Sequence, residues 1–348
     1  MNTDRSAPGR AVLTILMVVM MSIAASTADA RTKRLRLGTV APDGTTFVKI
    51  LRQLAQDVQK QAEDDLKFTI YPGGMKGAER QMVQQMRIGS LDAALLTASG
   101  LAEIDQSVTA LQNMPLMFRT LDEVDLVGAK LRPRLEANLK KKGFIVLFWV
   151  DAGWLRFFSD EKVLTPDDLR KLKLFTAAGD PKATDLYKEA GFDPQPLAIS
   201  DILPSLQTGL INAAPLPPIA ALSLQADSAA PHMLDLNWAP LVGALVITEK
   251  TWNKLSPVTR TTMTSLSRDA GKKMKAANRS QAEESVKAMQ KRGLEVHKPT
   301  AEIRALWQKE VEKVWPSIRG QMVPADLFDE VRAILDKHRA ASAAGGSR

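Results

Sequence analysis

The sequence contains no cysteine. That one absence removes disulfides, thiolate nucleophiles, cysteine-ligated metals and lipid attachment at an amino-terminal cysteine. Histidine is scarce too: there are three, His232, His297 and His338. They are far apart along the chain and outside any His-Glu-x-x-His spacing, so a histidine-built metal or catalytic centre is not expected. No Gly-x-Ser-x-Gly elbow is present, which leaves no activated serine of that type. The cluster Gly73-Gly74-Met75-Lys76-Gly77 lacks the Gly-Lys-Ser/Thr ending of a phosphate loop and reads as a turn. Asp167-Asp168 looks like a paired carboxylate site, but Asp168 falls at the third position of a short helix, where negative charge favours the helix dipole. No internal repeat is visible. These absences point away from an enzyme, and no cofactor is expected.

What is present has ordinary proportions: 45% hydrophobic and 25% charged residues suit a soluble globular protein. At 348 residues the chain is long enough for two lobes, each burying a core. The net charge of +8 is modest for that length, and the basic residues are interleaved with acids along the expected helices. They read as solvated faces, so nucleic acid is not an expected partner.

Residues 1–30 have the form of a cleaved signal peptide. Arg5 and Arg10 give a positive start, Ala11 to Ile23 an apolar run, and Ala28-Asp29-Ala30 a small-x-small cleavage site. The run is shorter than the roughly 20 residues that a membrane span needs, and no later stretch is long and apolar enough. A periplasmic location is expected, with the fold held by its cores. The remainder divides into lobe I over 31–150 and about 240–280, lobe II over 151–239 and about 281–320, a C-terminal helix over 321–339 and a disordered tail over 340–348.

Strand and helix alternate from the outset. Leu35 to Val40 is an apolar strand, Pro42-Asp43-Gly44 its turn, and Phe47, Ile50, Leu51, Leu54 and Val58 recur at helical spacing. Leu66 to Tyr71 is a second strand, a helix through Met82, Val83 and Met86 stops at Gly89, and Leu91 to Thr97 is a third strand. This β-α-β-α-β order predicts a mostly parallel α/β sheet. Thr120 and Glu123 predict a capping box for a helix that Pro133 kinks or divides and Gly143 ends. Phe144 to Val150 is continuously apolar, which predicts a strand covered on both faces, with Trp149 in the core.

From Trp149 to Thr176 the order is strand, short helix, strand, with Thr165 as cap and Pro166 at the first helical position. Asp180-Pro181 opens a helix closed by Gly191, and Ser200 is expected to cap Asp201 to Thr208. Leu210 to Ala214 reads as a strand stopped by Pro215-Leu216-Pro217-Pro218. Leu241 to Thr248 is strand-like. Ser256-Pro257 begins a helix-competent run to about Lys291, about 50 Å long at 1.5 Å per residue. Such a helix would brace both lobes, with Gly271 as a bend. Leu294 to His297 predicts a small strand, and helices near Glu302–Val314 and Asp326–His338 finish the fold.

Several segments occur together in a telling order. They are Tyr71-Pro72-Gly73-Gly74 with Gly77 and Glu79; Gly89-Ser90-Leu91-Asp92; and Met114-Pro115-Leu116-Met117-Phe118. Gly153 with Ser159, Pro166-Asp167-Asp168-Leu169-Arg170-Lys171-Leu172-Lys173 and Leu206-Gln207-Thr208-Gly209 follow. From about Leu35 to Phe328 the chain thereby resembles the solute-binding subunit of tripartite ATP-independent periplasmic (TRAP) transporters, the DctP family. The resemblance implies two α/β lobes with hinge strands and a long bracing helix, closing on a small-molecule ligand. It also implies delivery of that ligand to integral membrane subunits, without catalysis. A monomer is expected rather than an oligomer.

The departures from the family pattern bear on the ligand. In the family, the strand after Asp-Leu-x-x-Leu-Lys commonly carries an arginine that holds a carboxylate, a role suited to the bidentate guanidinium. Phe175 occupies that position here. A second family arginine falls on Leu155; the adjacent Arg156 would point to the other face of an extended strand. The family's Asp-Gly-x-Glu becomes Asn212-Ala213-Ala214-Pro215. An apolar cleft cannot offset the desolvation of a carboxylate, so the expected ligand is apolar or amphipathic. The expected ligand-binding residues are Trp154, Arg156, Phe175, Leu216 and Trp238. Two alternatives stand beside this reading. One is a carboxylate binder whose cation has moved to Arg156 or Lys173; the other is an envelope interaction protein on the same fold.

Overall fold

The apolar runs of residues 32–345, the part described by the computed structural model, gather into one 9-stranded sheet. The expected signal peptide lies outside the described residues. In chain order the strands are β1 (Lys33–Thr39), β2 (Leu66–Tyr71), β3 (Ala93–Thr97), β4 (Phe144–Ser159), β5 (Lys173–Ala177), β6 (Asp193–Leu197), β7 (Ala213–Leu216), β8 (His232–Thr248) and β9 (Glu295–His297). The longer helices are α1 (Thr46–Gln61), α2 (Glu79–Ile88), α3 (Leu121–Lys141), α4 (Pro181–Glu189), α5 (Pro257–Gln290), α6 (Ala301–Ser317) and α7 (Ala325–Gly345).

Strand order is β2-β1-β3-β8-β4-β7-β5-β6, with β9 paired to β8. The outer groups, β2-β1-β3 and β7-β5-β6, are parallel within themselves. Between them β8 and β4 run antiparallel to each other and to β3 and β7. These two strands, 16 and 17 residues long, far exceed the usual strand of about 5–6. The Phe144 end of β4 lies beside Thr248, next to β3; its Ser159 end lies beside His232, next to β7 and β9. Each therefore belongs to both halves of an α/β, two-lobed fold, and together they form its hinge.

Both faces of the sheet are covered at its centre, which is why β3, Phe144 to Val150 of β4 and the second half of β8 read as apolar runs rather than alternating ones. In β3, Ala94 and Leu96 enter the core with α2, α3 and α7, while Ala93 and Leu95 enter the opposite core with α1 and α5. Phe157 and Phe158 divide in the same way between the two cores of the other half, and both are fully buried. Burial of such side chains stabilises by about 1.5–3 kcal/mol each. The 34-residue α5 contributes to cores in both halves, with Ala270 and Met274 in one and Val286 and Met289 in the other.

Several local expectations are corrected. Strand β4 does not stop at Val150 but continues through Gly153 to Ser159. Pro133 sits inside an undivided α3, and α5 runs unbroken past Gly271, which lies against Phe148. The Thr120 side chain accepts from Glu123 N, but the Glu123 carboxylate accepts from Arg119 N (2.6 Å) and pairs with Arg339, so the box is not reciprocal. Ser200 does not cap its helix, which begins at Ile202 with Asp201 before it. Strand β7 begins at Ala213 and carries Pro215 and Leu216 inside it. Finally, α7 extends to Gly345, into the expected tail.

Candidate functional site

The ends of the parallel strands decide where a ligand can sit. In open α/β sheets that place is the crevice beyond the carboxyl ends of the strands, at a switch in strand order. Here Thr39 at the end of β1, Leu95–Thr97 of β3, Phe175–Ala177 of β5 and Pro215–Leu216 of β7 converge on one cavity of about 320 Å³. Its floor is the middle of the hinge strands: Val150, Ala152 and Leu155 of β4, and Trp238, Ala239, Leu241, Val242 and Gly243 of β8. Residues from both halves line it, so it is an interlobe cleft.

Gly153 shapes that floor. Its φ of 79° lies in the left-handed region that other residues avoid, and the β4–β8 register shifts across it, between Asp151 and Trp154, and again just after it, between Leu155 and Phe157. The strand therefore changes facing at the cleft. Leu155 turns into the cavity, and the pleat sends its neighbours the other way.

Of the five expected ligand-binding residues, Phe175, Leu216 and Trp238 line the cavity. Trp154 and Arg156 do not reach it. Trp154 packs in the core that holds Leu131, Leu135 and Val242. Arg156 is 9% exposed and lies 3.2 Å from Asp235 and 3.3 Å from Glu283, tying β4 to β8 and α5. Lys173 is exposed and donates to the carbonyl of Gly209. Neither cation proposed as a relocated anchor therefore faces the cleft. Both positions where the resemblance expects arginine, Leu155 and Phe175, do line it, as does Pro215 at the position of the family's glutamate. Among the described residues that line it there is no lysine, arginine or histidine.

Polar groups also line the cleft. The Trp238 indole N–H donates to the Tyr187 hydroxyl oxygen at 3.0 Å. Burial raises the pKa of Tyr187 above the ordinary phenol value, so it stays protonated. Asn113 Oδ1 is a buried acceptor without a hydrogen-bond partner. Three carboxylates are present. Glu310 is paired with Arg170 and Lys313. Asp180 accepts from Ala183 N at the start of α4 and from Ser99 Oγ (2.7 Å), a bond that joins the two halves.

Glu79 accepts from Thr97 N (2.6 Å) and Thr97 Oγ1 (2.5 Å). Burial pushes its pKa up, opposed by the Thr97 and Gly100 hydrogen bonds and reinforced by Asp180. The remaining surface of Glu79 borders the cavity. Gly100 is required here: a Cβ on it would come 2.8 Å from the Glu79 side chain. Leu116, whose backbone N bonds Trp238 O at 2.8 Å, adopts a φ of 55° beside the cavity-lining Pro115. Sequence reading missed Glu79, Asn113, Asp180 and Tyr187 as cleft residues. Only the cap role of Asp180 carried a local signal.

Comparison with known proteins matches residues 37–321 to the DctP family, bacterial extracellular solute-binding protein, family 7. The C4-dicarboxylate-binding periplasmic protein DctP of Rhodobacter capsulatus is 22% identical over 301 residues, covering 84% of this chain and 88% of that protein. Among solved structures, a TRAP periplasmic solute-binding protein from Ralstonia eutropha, with bound (S)-2-acetolactate, superposes with a TM-score of 0.81 at 18% identity, covering 87% of this chain and 99% of that one. A counterpart from Sulfurospirillum deleyianum, with bound succinate, gives a TM-score of 0.79 at 20% identity and the same coverage. The family and these neighbours are solute-binding proteins, not enzymes. No helix among the described residues is long and apolar enough to cross a membrane.

Proposed function

We propose, from the premise that this chain belongs to the DctP family of bacterial extracellular solute-binding proteins, that it captures an apolar or amphipathic solute in the interlobe cleft. Exported by its amino-terminal segment, it works in the periplasm and hands that solute to TRAP-type integral membrane subunits. One observation carries the choice of ligand: among the described residues no lysine, arginine or histidine lines the cleft, and Leu155 and Phe175 line it where the family pattern expects arginines. A carboxylate placed there would lose its hydration without a charged partner and would also meet Asp180.

The cavity's size falls within the roughly 300–1,000 Å³ typical of small-molecule sites, which are mostly apolar with a few placed polar groups. Tyr187, with its oxygen already accepting from Trp238, has its hydroxyl hydrogen left to donate, and Asn113 Oδ1 is left to accept. A hydroxyl or amide on an otherwise apolar ligand would satisfy both. The functional ligand contacts are therefore assigned to Phe175, Leu216 and Trp238, with Leu155 and Tyr187 added.

The test is mass spectrometry of organic extracts from gently purified protein, with affinities then measured for the molecule found and for succinate and glucuronate. An apolar or amphipathic molecule is expected, bound more tightly than either acid. Phe175→Asp should weaken it by at least about 10-fold, since an unpaired charge in an apolar site is strongly unfavourable, while the far-ultraviolet circular dichroism stays unchanged. Tight succinate or glucuronate binding by the unaltered protein would refute the reading.

A further inference from the structure

Outside the cleft, the sheet pairing brings together two histidines that are far apart in the chain. Strand β9 runs parallel to β8, with His232 opposite Glu295 and Leu234 opposite His297. Residues two apart on a strand share a face, so Glu295 and His297 present their side chains beside that of His232. His232 Nδ1 lies 3.1 Å from His297 Nε2 and 3.6 Å from Glu295 Oε2, and the last pair is 4.0 Å apart. Ligands bound at about 2.0–2.2 Å around one tetrahedral zinc stand about 3.3 Å from one another. The three separations bracket that value before any side chain has turned.

We infer that His232, His297 and Glu295 form a binding site for a divalent transition metal, zinc being the best match, with one coordination position left open. Two imidazoles and a carboxylate are a borderline donor set that suits zinc better than magnesium or calcium, which prefer oxygen. The imidazoles are 20% and 12% exposed at the side chain and so are held in place, while Glu295 at 66% is free to swing onto the ion. A water would complete the set at the fourth position. The consequence is mechanical. Strand β9 follows α5 directly, so a bound ion would fasten the end of the long helix to the far half of hinge strand β8. This site is independent of the cleft and stands or falls without it.

Tag-free protein stripped with a chelator and dialysed against zinc(II) tests the assignment, with bound metal counted by elemental mass spectrometry. About one zinc per chain is expected for the unaltered protein, with a higher thermal midpoint by mass action. His338→Ala, at a histidine on the terminal helix, should bind as well as the unaltered chain. His232→Ala and His297→Ala should lose both uptake and the midpoint shift. Glu295→Gln, an exposed change that spares the fold, should bind more weakly by about 10-fold or more. Cobalt(II) substituted at the site should show the intense visible bands of a four- or five-coordinate centre. Absence of stoichiometric zinc in the unaltered protein overturns the inference, and so does uptake that Glu295→Gln and both histidine variants leave intact.

Discussion

At the scale of single residues, the cleft is defined as much by charge withheld as by shape. Leu155 and Phe175 stand in the cleft where the resemblance expects arginines, Pro215 where it expects a glutamate, and the three carboxylates that line the cleft are each engaged. Glu79 is the most constrained of them. It is an acid whose folded pKa lies above its ordinary value, chiefly because burial penalises its charge. Its contribution to stability is therefore complete below the unfolded value, about 4.3, and is lost as the pH rises from there to the folded value. Glu79→Gln removes the ionisation while keeping an acceptor for Thr97. The stability of the unaltered protein, measured by urea midpoint, should fall relative to Glu79→Gln as the pH is raised from about 4 to 8. A difference that stays constant with pH would mean that Glu79 ionises as freely in the fold as in the unfolded chain.

At the scale of elements, the hinge strands depend on α5. Arg279 of that helix donates to both carboxylate oxygens of Asp151, at 3.2 and 2.8 Å, and to Asp125 at 2.9 and 3.0 Å, while Asn278 donates to Asp151 O at 2.8 Å. Asp151 is 3% exposed and sits two residues before Gly153, where the strand changes facing. Removing Arg279 would strand a buried charge, which typically costs about 3–5 kcal/mol. Arg279→Ala should therefore destabilise by several kcal/mol in chemical denaturation, and clearly more than Asp125→Ala, which leaves the Asp151 pair in place. Equal losses would show that the clamp on β4 has no special weight. The sequence made most elements legible, because helical spacing, caps such as Thr165 and glycine stops such as Gly89 are local signals. The hinge was only half legible. β4 passes through a glycine with positive φ, and the first half of β8, His232 to Trp238, breaks its apolar pattern with Asp235 and Asn237. β6 has no strand pattern in its sequence, with Pro194 and Pro196 in five residues, yet an edge strand tolerates prolines because one side needs no partner. The pairing of His232 with His297 depends on the β8–β9 register, which no local pattern encodes.

At the scale of the whole molecule, the two halves are joined by the hinge strands and their braces, and they also meet through side-chain contacts outside these strands. Ser99 Oγ donates to Asp180 Oδ2 at 2.7 Å, and Lys182 Nζ donates to the carbonyl of Gln321 at 3.0 Å. Ser99 and Asp180 themselves line the cavity, so a ligand held there lies beside the contact that joins the halves. A ligand that touches both halves must favour the closed arrangement by its differential affinity for it. One hydrogen bond to a charged acceptor, part-buried here, adds about 1.5 kcal/mol, which corresponds to roughly 10-fold in an equilibrium constant. Because a binding-competent state that is less populated lowers the apparent affinity in proportion, Ser99→Ala should weaken ligand binding by up to about that factor without altering what is bound. Small-angle scattering should show a larger radius of gyration for the ligand-free protein than for the loaded one, and Ser99→Ala should need more ligand to reach the smaller value. An unchanged ligand titration in Ser99→Ala would place closure on the hinge strands alone.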